Sequence, residues 1–354
     1  MVHRRISRKS VEKPPTEPFK GELAGDRAGE LAERRILEEF SKILTKEYGE
    51  KYEVKNLLDL DYGTQRLAQK LYEHLFPNKD EREPWRKILY RLKRMGNFPS
   101  DELLKKGRPH VIVILNERRV VGYSQFLTLP AGENDVVVYA EYAGLADEKF
   151  MRRNYSGRES FRGKGLYKHI FNLGHAIASA ESEKKGGVVI GTIGDVEMLG
   201  QGGSIEEIKL SRNRLVVFYK LGFRAVMADM GDFLKTILMQ PRLDKDSEPM
   251  LLQLMFAPMD KTKVSEETLK EVAMAYINCF YDETFDKEDV DYAKRIMEER
   301  IREARKLILV ESVEKLPLVT ELAKHDELLK AQIERQFGRS IDEQEEAIKT
   351  ALAE

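Results

Sequence analysis

The residues with the clearest chemical potential occupy positions 160–167, in the order Ser-Phe-Arg-Gly-Lys-Gly-Leu-Tyr, between a predicted strand and a predicted helix. Glycines allow backbone conformations in which successive N–H groups point outward, and the positive end of the following helix adds to their field. Such a turn can hold an anionic phosphate group without a steric clash. The segment therefore predicts a phosphate-binding loop, and a solvated basic turn is the alternative interpretation of Arg162 and Lys164.

Two widespread phosphate-binding motifs do not match this segment. A Walker loop requires four residues between its first glycine and a Gly-Lys pair that Ser or Thr follows. Here five residues separate Gly157 from Gly163, and Lys164 is followed by Gly165. A dinucleotide fingerprint would require glycine at the position of Lys168. The loop therefore belongs to another class of phosphate binder.

The chain from residue 52 to residue 258 supplies the elements that must position this loop, because its apolar residues follow strand and helix periods in alternation. Residues 135–144 alternate with the period of two that is typical of a strand. Gly222 provides the left-handed conformation that commonly ends a helix. The predicted strands cover 52–58, 110–115, 120–129, 135–144, 187–196, 223–230 and 250–258, and the predicted helices cover 64–76, 83–95, 166–180 and 212–221.

Three further segments flank this central region. Residues 1–22 contain Pro14, Pro15 and Pro18 among basic residues without a periodic apolar pattern, which predicts a disordered basic arm. Residues 23–51 predict an N-terminal amphipathic helix, and residues 259–354 predict a helical C-terminal extension without a strand signal. An amphipathic helix must bury its apolar stripe. We therefore expect the extension to pack on the chain's own core or on a second copy, as in a homo-oligomer.

Two segments in this order resemble landmarks of the GNAT superfamily of acyl-CoA-dependent N-acyltransferases. Arg162, Gly165 and the residues between them match the pattern Arg/Gln-x-x-Gly-x-Gly/Ala, with Tyr167 where Gly or Ala is usual. About fifty residues later, residues 213–223 resemble the family's short helix, which carries Asn and Tyr and closes in Leu-Gly-Phe. The resemblance covers roughly residues 52–258 and implies a GNAT-like domain over that range.

This resemblance implies an α+β fold with a mixed, mostly antiparallel sheet whose fourth and fifth strands splay apart. The pantetheine arm of acetyl-CoA, or of another acyl-CoA, would lie in the gap between those strands. The pyrophosphate would be bound mainly by backbone N–H groups of the loop, formed by Arg162, Gly163, Lys164, Gly165, Leu166 and Tyr167. Asn213 would either bond the pantetheine or cap its own helix.

The same resemblance suggests which residues would catalyse the reaction. Tyr219 stands where the family often places the hydroxyl that protonates the departing thiolate, and a phenol with a pKa of about 10 keeps its proton near neutrality. Glu141 is the best candidate for the general base, because apolar neighbours would raise its pKa. Asp195 and Glu197 follow the fifth strand and could act as the base or bind a cationic substrate. A core tyrosine, paired structural carboxylates and deprotonation through water are the alternatives.

Composition excludes several other classes of protein. The 354 residues contain 60 Lys and Arg against 61 Asp and Glu, so we expect no nucleic-acid binding by bulk charge. The single cysteine, Cys279, rules out a disulfide framework and a four-thiolate zinc site. His169 and His175 fall on different helix faces, and we expect no metal. No apolar run approaches the ~20 residues of a membrane span, which predicts a cytoplasmic protein without membrane contact.

The sequence thus predicts an N-acyltransferase, in its simplest form an N-acetyltransferase, that moves an acyl group from acyl-CoA directly to an amine. The alternative is a non-catalytic acyl-CoA-binding sensor or interaction protein that uses the same domain. A purely structural helical scaffold is disfavoured by the ordered strand and loop landmarks. The acceptor amine is not identified by the sequence, because acceptor-binding loops vary on a shared fold.

Overall fold

The computed structural model of the chain describes residues 27–77, 82–95, 107–157, 159–242, 248–260, 264–278 and 286–353. The predicted arm at residues 1–22 and Cys279 lie outside these residues. The helices are α1 (Arg27–Tyr48), α2 (Tyr62–Leu75), α3 (Trp85–Met95), α4 (Glu148–Tyr155), α5 (Leu166–Ser182), α6 (Ile205–Lys220), α7 (Glu266–Asn278), α8 (Lys287–Glu303), α9 (Val319–Ala323), α10 (Glu327–Phe337) and α11 (Ile341–Ala353). The strands are β1 (Tyr52–Asn56), β2 (Arg108–Asn116), β3 (Arg119–Ala131), β4 (Asp135–Leu145), β5 (Val189–Val196), β6 (Arg224–Asp229), β7 (Leu234–Thr236), β8 (Leu238–Gln240), β9 (Met250–Pro258) and β10 (Lys306–Val310).

The described strands form one sheet in the order β1-β2-β3-β4-β5-β9-β6-β10, in which β7 also pairs with β6 and β8 with β9. Their pairings are antiparallel with one exception, because β4 and β5 run parallel. The predicted fold class is therefore confirmed: a mixed, mostly antiparallel sheet flanked by helices, with helical segments at both ends.

The hairpin of β2 and β3 shows how local sequence sets the register of the sheet. The two strands are joined by only two residues, Glu117 and Arg118, both with positive φ, at 47° and 69°. Positive φ at both central positions is what a type I′ turn requires, and this turn matches the right-handed twist of paired strands. The turn forms between the two predicted strands at 110–115 and 120–129, although neither central residue is the glycine or asparagine that usually occupies it.

Strand β4 separates two helical layers. A side chain added at Gly174 of α5 would lie 3.4 Å from Val138, so α5 packs against the face to which Val138 points. The ring of the next residue, Tyr139, packs on Tyr276 of α7 with centroids 5.1 Å apart. Because successive strand residues point to opposite faces, α5 and α7 lie on opposite sides of the sheet.

Helix α1 closes the outer edge of β1 with two hydroxyl side chains. The backbone N–H of Tyr52 donates to Thr45 Oγ1 at 3.0 Å, and that of Val54 donates to Ser41 Oγ at 2.8 Å. Four helical residues rise about 6 Å and two strand residues advance about 6.6 Å, so the two spacings match. Hydroxyls four residues apart on the helix therefore satisfy alternate N–H groups of the edge strand.

The C-terminal extension packs on the chain's own sheet and also joins it. Tyr276 of α7 is fully buried, and β10 pairs antiparallel with β6, with Val310 opposite Ala225. The expectation that residues beyond 258 contain no strand is thus wrong. The run Leu307 to Val310 is apolar and extended, and Ala304 leaves the helical conformation at φ −63°, ψ 136°. The domain limits at 52 and 258 stay a prediction, since one sheet crosses the second of them.

Candidate active site

The parallel strands β4 and β5 separate part of the way along their length. Their pairing runs from Val136 opposite Val189 to Tyr139 opposite Ile193 and then ends. Strand β4 continues to Leu145 and β5 to Val196 without facing each other. A gap therefore opens between two neighbouring strands in the interior of the sheet, as the family resemblance implies for the fourth and fifth strands.

A β-bulge lies where this gap begins. On β3, Phe126 is opposite Ala140 and Gln125 is opposite Tyr142, which leaves Glu141 as the extra residue on β4. A bulge bends its strand and increases the local twist. The bend accounts for the separation from β5 and turns Glu141 toward Gln125, on the face of the sheet that carries α7.

Glu141 is held in a buried polar network on that face. Its carboxylate accepts hydrogen bonds from Gln125 at 2.7 Å and from the guanidinium of Arg91 at 3.3 Å. Arg91 also donates a hydrogen bond to Glu83 at 2.8 Å. All four side chains of this network are at most 10 % exposed. Burial raises the pKa of Glu141, against the lowering effect of Arg91. The group is thus a partly neutralised carboxylate that one arginine shares with Glu83.

Asp195 lies on the other side of the gap and has a different environment. Its carboxylate accepts a hydrogen bond from the hydroxyl of Tyr139 at 2.7 Å. Burial raises the pKa of Asp195 to about 6, although the Tyr139 bond lowers it, and the neighbouring Glu197 adds to the rise. Asp195 and Glu141 also repel each other, which raises the pKa of Glu141. The mouth of the gap therefore presents two carboxylates that repel each other.

The predicted phosphate loop starts at the far end of β4 and leads into α5. Gly163 and Gly165 have φ values of 78° and 82°, the left-handed region that favours glycine. No atom lies within 4 Å of a side chain added at Gly163, so the approach to this turn is open. Gly165 occupies the N-cap of α5 without a side-chain cap bond, and the first N–H groups of the helix are not capped by it. This geometry fits an anion at the positive end of the helix.

The charged side chains of the loop are bound within the chain. Arg162 donates from Nε to the carbonyl of Leu145 at 3.3 Å and pairs with Asp147 at 3.4 Å. Lys164 pairs with Glu159 and lies 4.9 Å from the centre of the Phe161 ring. Because both side chains have partners within the chain, the backbone N–H groups of the loop are the donors that we expect to face a phosphate.

The side chains of the two residues after Gly165 point into the protein. Leu166 is fully buried, and the ring of Tyr167 packs on Phe171 with centroids 5.2 Å apart. Burial raises the pKa of Tyr167 to about 12. Tyr167, the departure from the family pattern, therefore points away from the turn and leaves its backbone accessible.

Helix α6 presents Phe218, not Tyr219, to the gap. A side chain added at Gly194 of β5 would lie 3.0 Å from the Phe218 ring and 3.8 Å from the carbonyl oxygen of Ala140. The hydroxyl of Tyr219 instead donates to the carbonyl of Val310 at 2.9 Å. The residue beside the separated strands is thus an aromatic ring that carries no proton donor.

The sheet register shows how far the Tyr219 hydroxyl lies from the gap. Val310 is opposite Ala225, Ala225 is opposite Met255, and Met255 is opposite Gly194. The Tyr219 hydroxyl also accepts the backbone N–H of Ala225 at 3.5 Å, so it lies against β6 and β10. Two to three strand spacings of about 4.8 Å each therefore place it about 10–14 Å from Gly194 along the sheet. The structure does not bring Tyr219 together with Glu141 or Asp195. Its role as a general acid stays a prediction, and the bond to Val310 gives the side chain a structural role.

Asn213 lies on α6, and Glu197 lies one residue beyond the end of β5. Asn213 is exposed in the middle of α6, whose N-terminus is capped by Ser204 in a capping box with Glu207, so the capping alternative for Asn213 is excluded. Glu197 follows β5 and pairs with Arg214 of α6. A contact of Asn213 with pantetheine, and substrate binding by Glu197, stay predictions.

The structure therefore places Glu141 and Asp195 at the same gap, ties the loop at residues 162–167 to the end of β4, and adds residues that sequence reasoning missed. Tyr139 positions Asp195, and Arg91 and Gln125 hold Glu141. Tyr139 could have been found, because it alternates with Glu141 on one face of a strand. Arg91 carries no such signal, since it lies fifty positions before Glu141 in a helix of mixed charge.

Several solved structures match part of the chain. A putative GNAT-family acetyltransferase from Bacteroides thetaiotaomicron is 12 % identical, and the match covers 62 % of this chain and 95 % of that one with a TM-score of 0.36. An acetyltransferase from Bacillus subtilis in complex with CoA is 12 % identical over 59 % and 98 %, with a TM-score of 0.27. A putative acetyltransferase from Salmonella typhimurium with acetyl-CoA is 12 % identical over 60 % and 97 %, with a TM-score of 0.30.

One of these matched structures is described as a putative acetyltransferase of the GNAT family. The chain matches no family model and no curated protein.

Within the described ranges, no group of three or more His, Cys, Asp or Glu side chains could hold a metal ion. None of the helices that the structure describes is long and apolar enough to cross a membrane.

Proposed function

We propose that this protein is an acyl-CoA-dependent N-acyltransferase, in its simplest form an N-acetyltransferase, that acts on an amine. One observation carries this proposal. Strands β4 and β5 separate at the point where Glu141 and Asp195 face the gap, and the open glycine loop is hydrogen-bonded to the end of β4 through Phe161 and Arg162. A carboxylate pair and an anion-binding turn thus serve the two ends of one opening.

The residues present fit the phosphates and the acyl arm of acyl-CoA. The uncapped start of α5 and the open turn at Gly163 and Gly165 offer backbone N–H groups to pyrophosphate. The gap beyond Tyr139 and Ile193 leaves strand backbone unpaired, which a pantetheine amide could use. Acyl-CoA supplies a thioester whose carbonyl carbon accepts the amine, so that a C–N bond forms as the C–S bond breaks.

Asp195 is our choice for the group that takes the proton from the amine. An amine attacks only in its neutral form, and a base is most useful when its pKa lies near the working pH. With a pKa of about 6, Asp195 is ionised at neutral pH and can still hold a proton briefly. Tyr139 fixes the orientation of this carboxylate. Glu141, held by Arg91 and Gln125, would keep the site negative and favour a cationic acceptor.

The first experiment measures the ligand and the reaction on the full chain. Native mass spectrometry of the purified protein should show retained CoA or acyl-CoA. A thiol-release assay with acetyl-CoA should then identify active amines from a panel. Asp195→Asn should lower kcat by roughly 10²- to 10³-fold, as for loss of a general base. In the unmodified protein the activity should rise as the pH increases through about 6, and this rise should be absent from the variant. Glu197→Gln, which removes a neighbouring carboxylate paired with Arg214, should leave that rise in place.

The outcomes separate two kinds of protein. Absence of CoA binding would overturn the proposal. Binding of CoA without thiol release from any amine would favour the second candidate, a non-catalytic acyl-CoA-binding sensor. One observation supports that candidate, because α6 presents Phe218 to the gap and commits the hydroxyl of Tyr219 to Val310. No donor for a departing thiolate is then supplied by those two positions.

A further inference from the structure

An open pocket lies between helix α4 and the start of the glycine loop, beside the proposed pyrophosphate site. Its volume is about 790 Å³, and its lining residues are Asp147, Glu148, Lys149, Arg152, Arg153 and Ser160. None of the helices predicted from the sequence covers this stretch, and the structure shows two turns of helix there. The pocket is thus made by an element that the family landmarks did not include.

The cationic side chains of the pocket share one helix face. Lys149, Arg152 and Arg153 are spaced i, i+3 and i+4, which places them side by side. Arg152 pairs with Glu148, while in the part of the chain that the structure describes neither Lys149 nor Arg153 has an ion-pair partner. Two adjacent positive charges therefore face the pocket without a counter-charge of their own.

The acidic residues of the lining are already occupied. Asp147 accepts hydrogen bonds from the backbone N–H of Phe150 and from His74, each at 2.9 Å, and pairs with Arg162 at 3.4 Å. These contacts hold the pKa of Asp147 below its usual range, although burial acts in the opposite direction. Glu148 is taken up by Arg152. An anion that enters the pocket thus meets carboxylates whose charge is compensated by neighbours.

The pocket is tied directly to the glycine loop. The backbone N–H of Phe161 donates to the carbonyl of Ala146 at 2.9 Å, which fastens the start of the loop to the residue before the α4 N-cap. Ser160 lines the pocket, and its hydroxyl accepts the N–H of Arg162 at 3.2 Å. A ligand that places one phosphate at Gly163 and Gly165 can therefore reach the pocket with a second one.

We propose that this pocket binds the 3′-phosphate of coenzyme A and makes the protein select coenzyme A over its dephospho form. The inference rests on the proposed function. A phosphate monoester carries between one and two negative charges near neutrality and three acceptor oxygens. Lys149 and Arg153 supply the matching charge, and Arg152 can turn from Glu148 to the same group. Charge-assisted bonds of this kind are the strong class of hydrogen bond.

Calorimetric titration with CoA and with dephospho-CoA tests the proposal, because the two ligands differ only in the 3′-phosphate. The full-length protein should bind CoA roughly 10- to 100-fold more tightly. The double variant Lys149→Ala/Arg153→Ala should bind the two ligands within about threefold of each other and keep its affinity for dephospho-CoA. Both positions are exposed, so the fold should be unaffected. The control variant Arg295→Ala/Arg302→Ala removes the same charge from α8 and should retain the discrimination.

Three results would count against the subsite. Equal affinity of the unmodified protein for both ligands would overturn the proposal while leaving the proposed function standing. Discrimination that survives in the Lys149→Ala/Arg153→Ala variant would place the phosphate elsewhere. Failure of both ligands to bind would overturn the proposed function and this subsite together.

Discussion

Replacing Asp195 by asparagine should stabilise the folded protein at neutral and basic pH while it removes the proposed base. Burial raises the pKa of Asp195 from an ordinary 3.8 to about 6, so the folded state resists ionisation of this group. At 1.36 kcal/mol for each pH unit, that difference costs the folded state about 3 kcal/mol once the carboxyl is ionised. Asparagine has the same shape and can still accept the Tyr139 hydrogen bond, but it carries no charge.

The size of the effect should depend on pH in one direction. Below pH 3.8 the carboxyl is protonated in both states, and it contributes nothing to stability. As the pH rises the unfolded chain loses this proton first, so the unfolding free energy of the unmodified protein falls until the folded group has ionised above pH 6. The advantage of Asp195→Asn should therefore grow from about 0.5 kcal/mol or less at pH 4 to about 1–3 kcal/mol at pH 8, allowing for a weaker bond from Tyr139.

Urea unfolding followed by circular dichroism at pH 4, 6 and 8 measures this difference. Subtracting the unmodified protein from the variant at each pH cancels the titration of other groups. Glu197→Gln serves as the matched control, because its carboxylate pairs with Arg214 and its loss should change stability by no more than about 1 kcal/mol. A variant Asp195→Asn that is less stable than the unmodified protein at pH 8 would refute the reasoning. So would a gain of the same size at pH 4 and pH 8.

Three further perturbations test the site and the extension. Tyr219→Phe removes the donor to Val310 and should lower the unfolding free energy by about 1 kcal/mol with kcat within about twofold; a loss of turnover near 10²-fold would instead support the general-acid prediction. Gly165→Val strains a position with φ 82° at the start of α5 and should weaken CoA binding at least about tenfold by calorimetry, whereas Gly186→Val at φ 71°, beyond the other end of α5, should not. Equal effects of the two glycine variants would contradict a phosphate role for the loop. Deleting residues 259–354 removes β10 and α7 and should give a protein that aggregates in light-scattering measurements; a soluble, equally heat-stable monomer would show an independent extension.

The sequence predicted the central elements well because their signals are local. The period of two in β4, the two glycines of the loop and Gly222 at a helix end each depend on residues within a few positions. The separation of β4 and β5 was expected only from the family resemblance, and a bulge at Glu141 produces it. Nothing in a single strand shows a bulge, because the extra residue is defined only by the register of the partner strand.

The points that the sequence left open, missed or predicted wrongly depend on packing between distant segments. Phe218 and Tyr219 are adjacent on a helix and about 100° apart, so the one that faces the gap is decided by how α6 docks. Leu307 and Ile308 fit a helical spacing as well as a strand. They form a strand because β6 offers an edge with which they can pair. The network around Glu141 joins residues about fifty positions apart, which no local pattern contains.

Helix α1 and strand β10 each cover a strand edge of the sheet. Helix α1 is synthesised before the strand that it covers, whereas β10 is synthesised long after its partner. The hydroxyls of Ser41 and Thr45 are made before β1, so the edge they cover need not be exposed once that strand emerges from the ribosome. The edge of β6 that faces away from β7 and β9, in contrast, has no neighbour until residues 306–310 have been translated. A strand edge with unpaired N–H and C=O groups is a template for pairing with other chains. The nascent protein is therefore most exposed to aggregation between the completion of β6 and the arrival of β10, and a slow translation step in that interval would prolong this exposure.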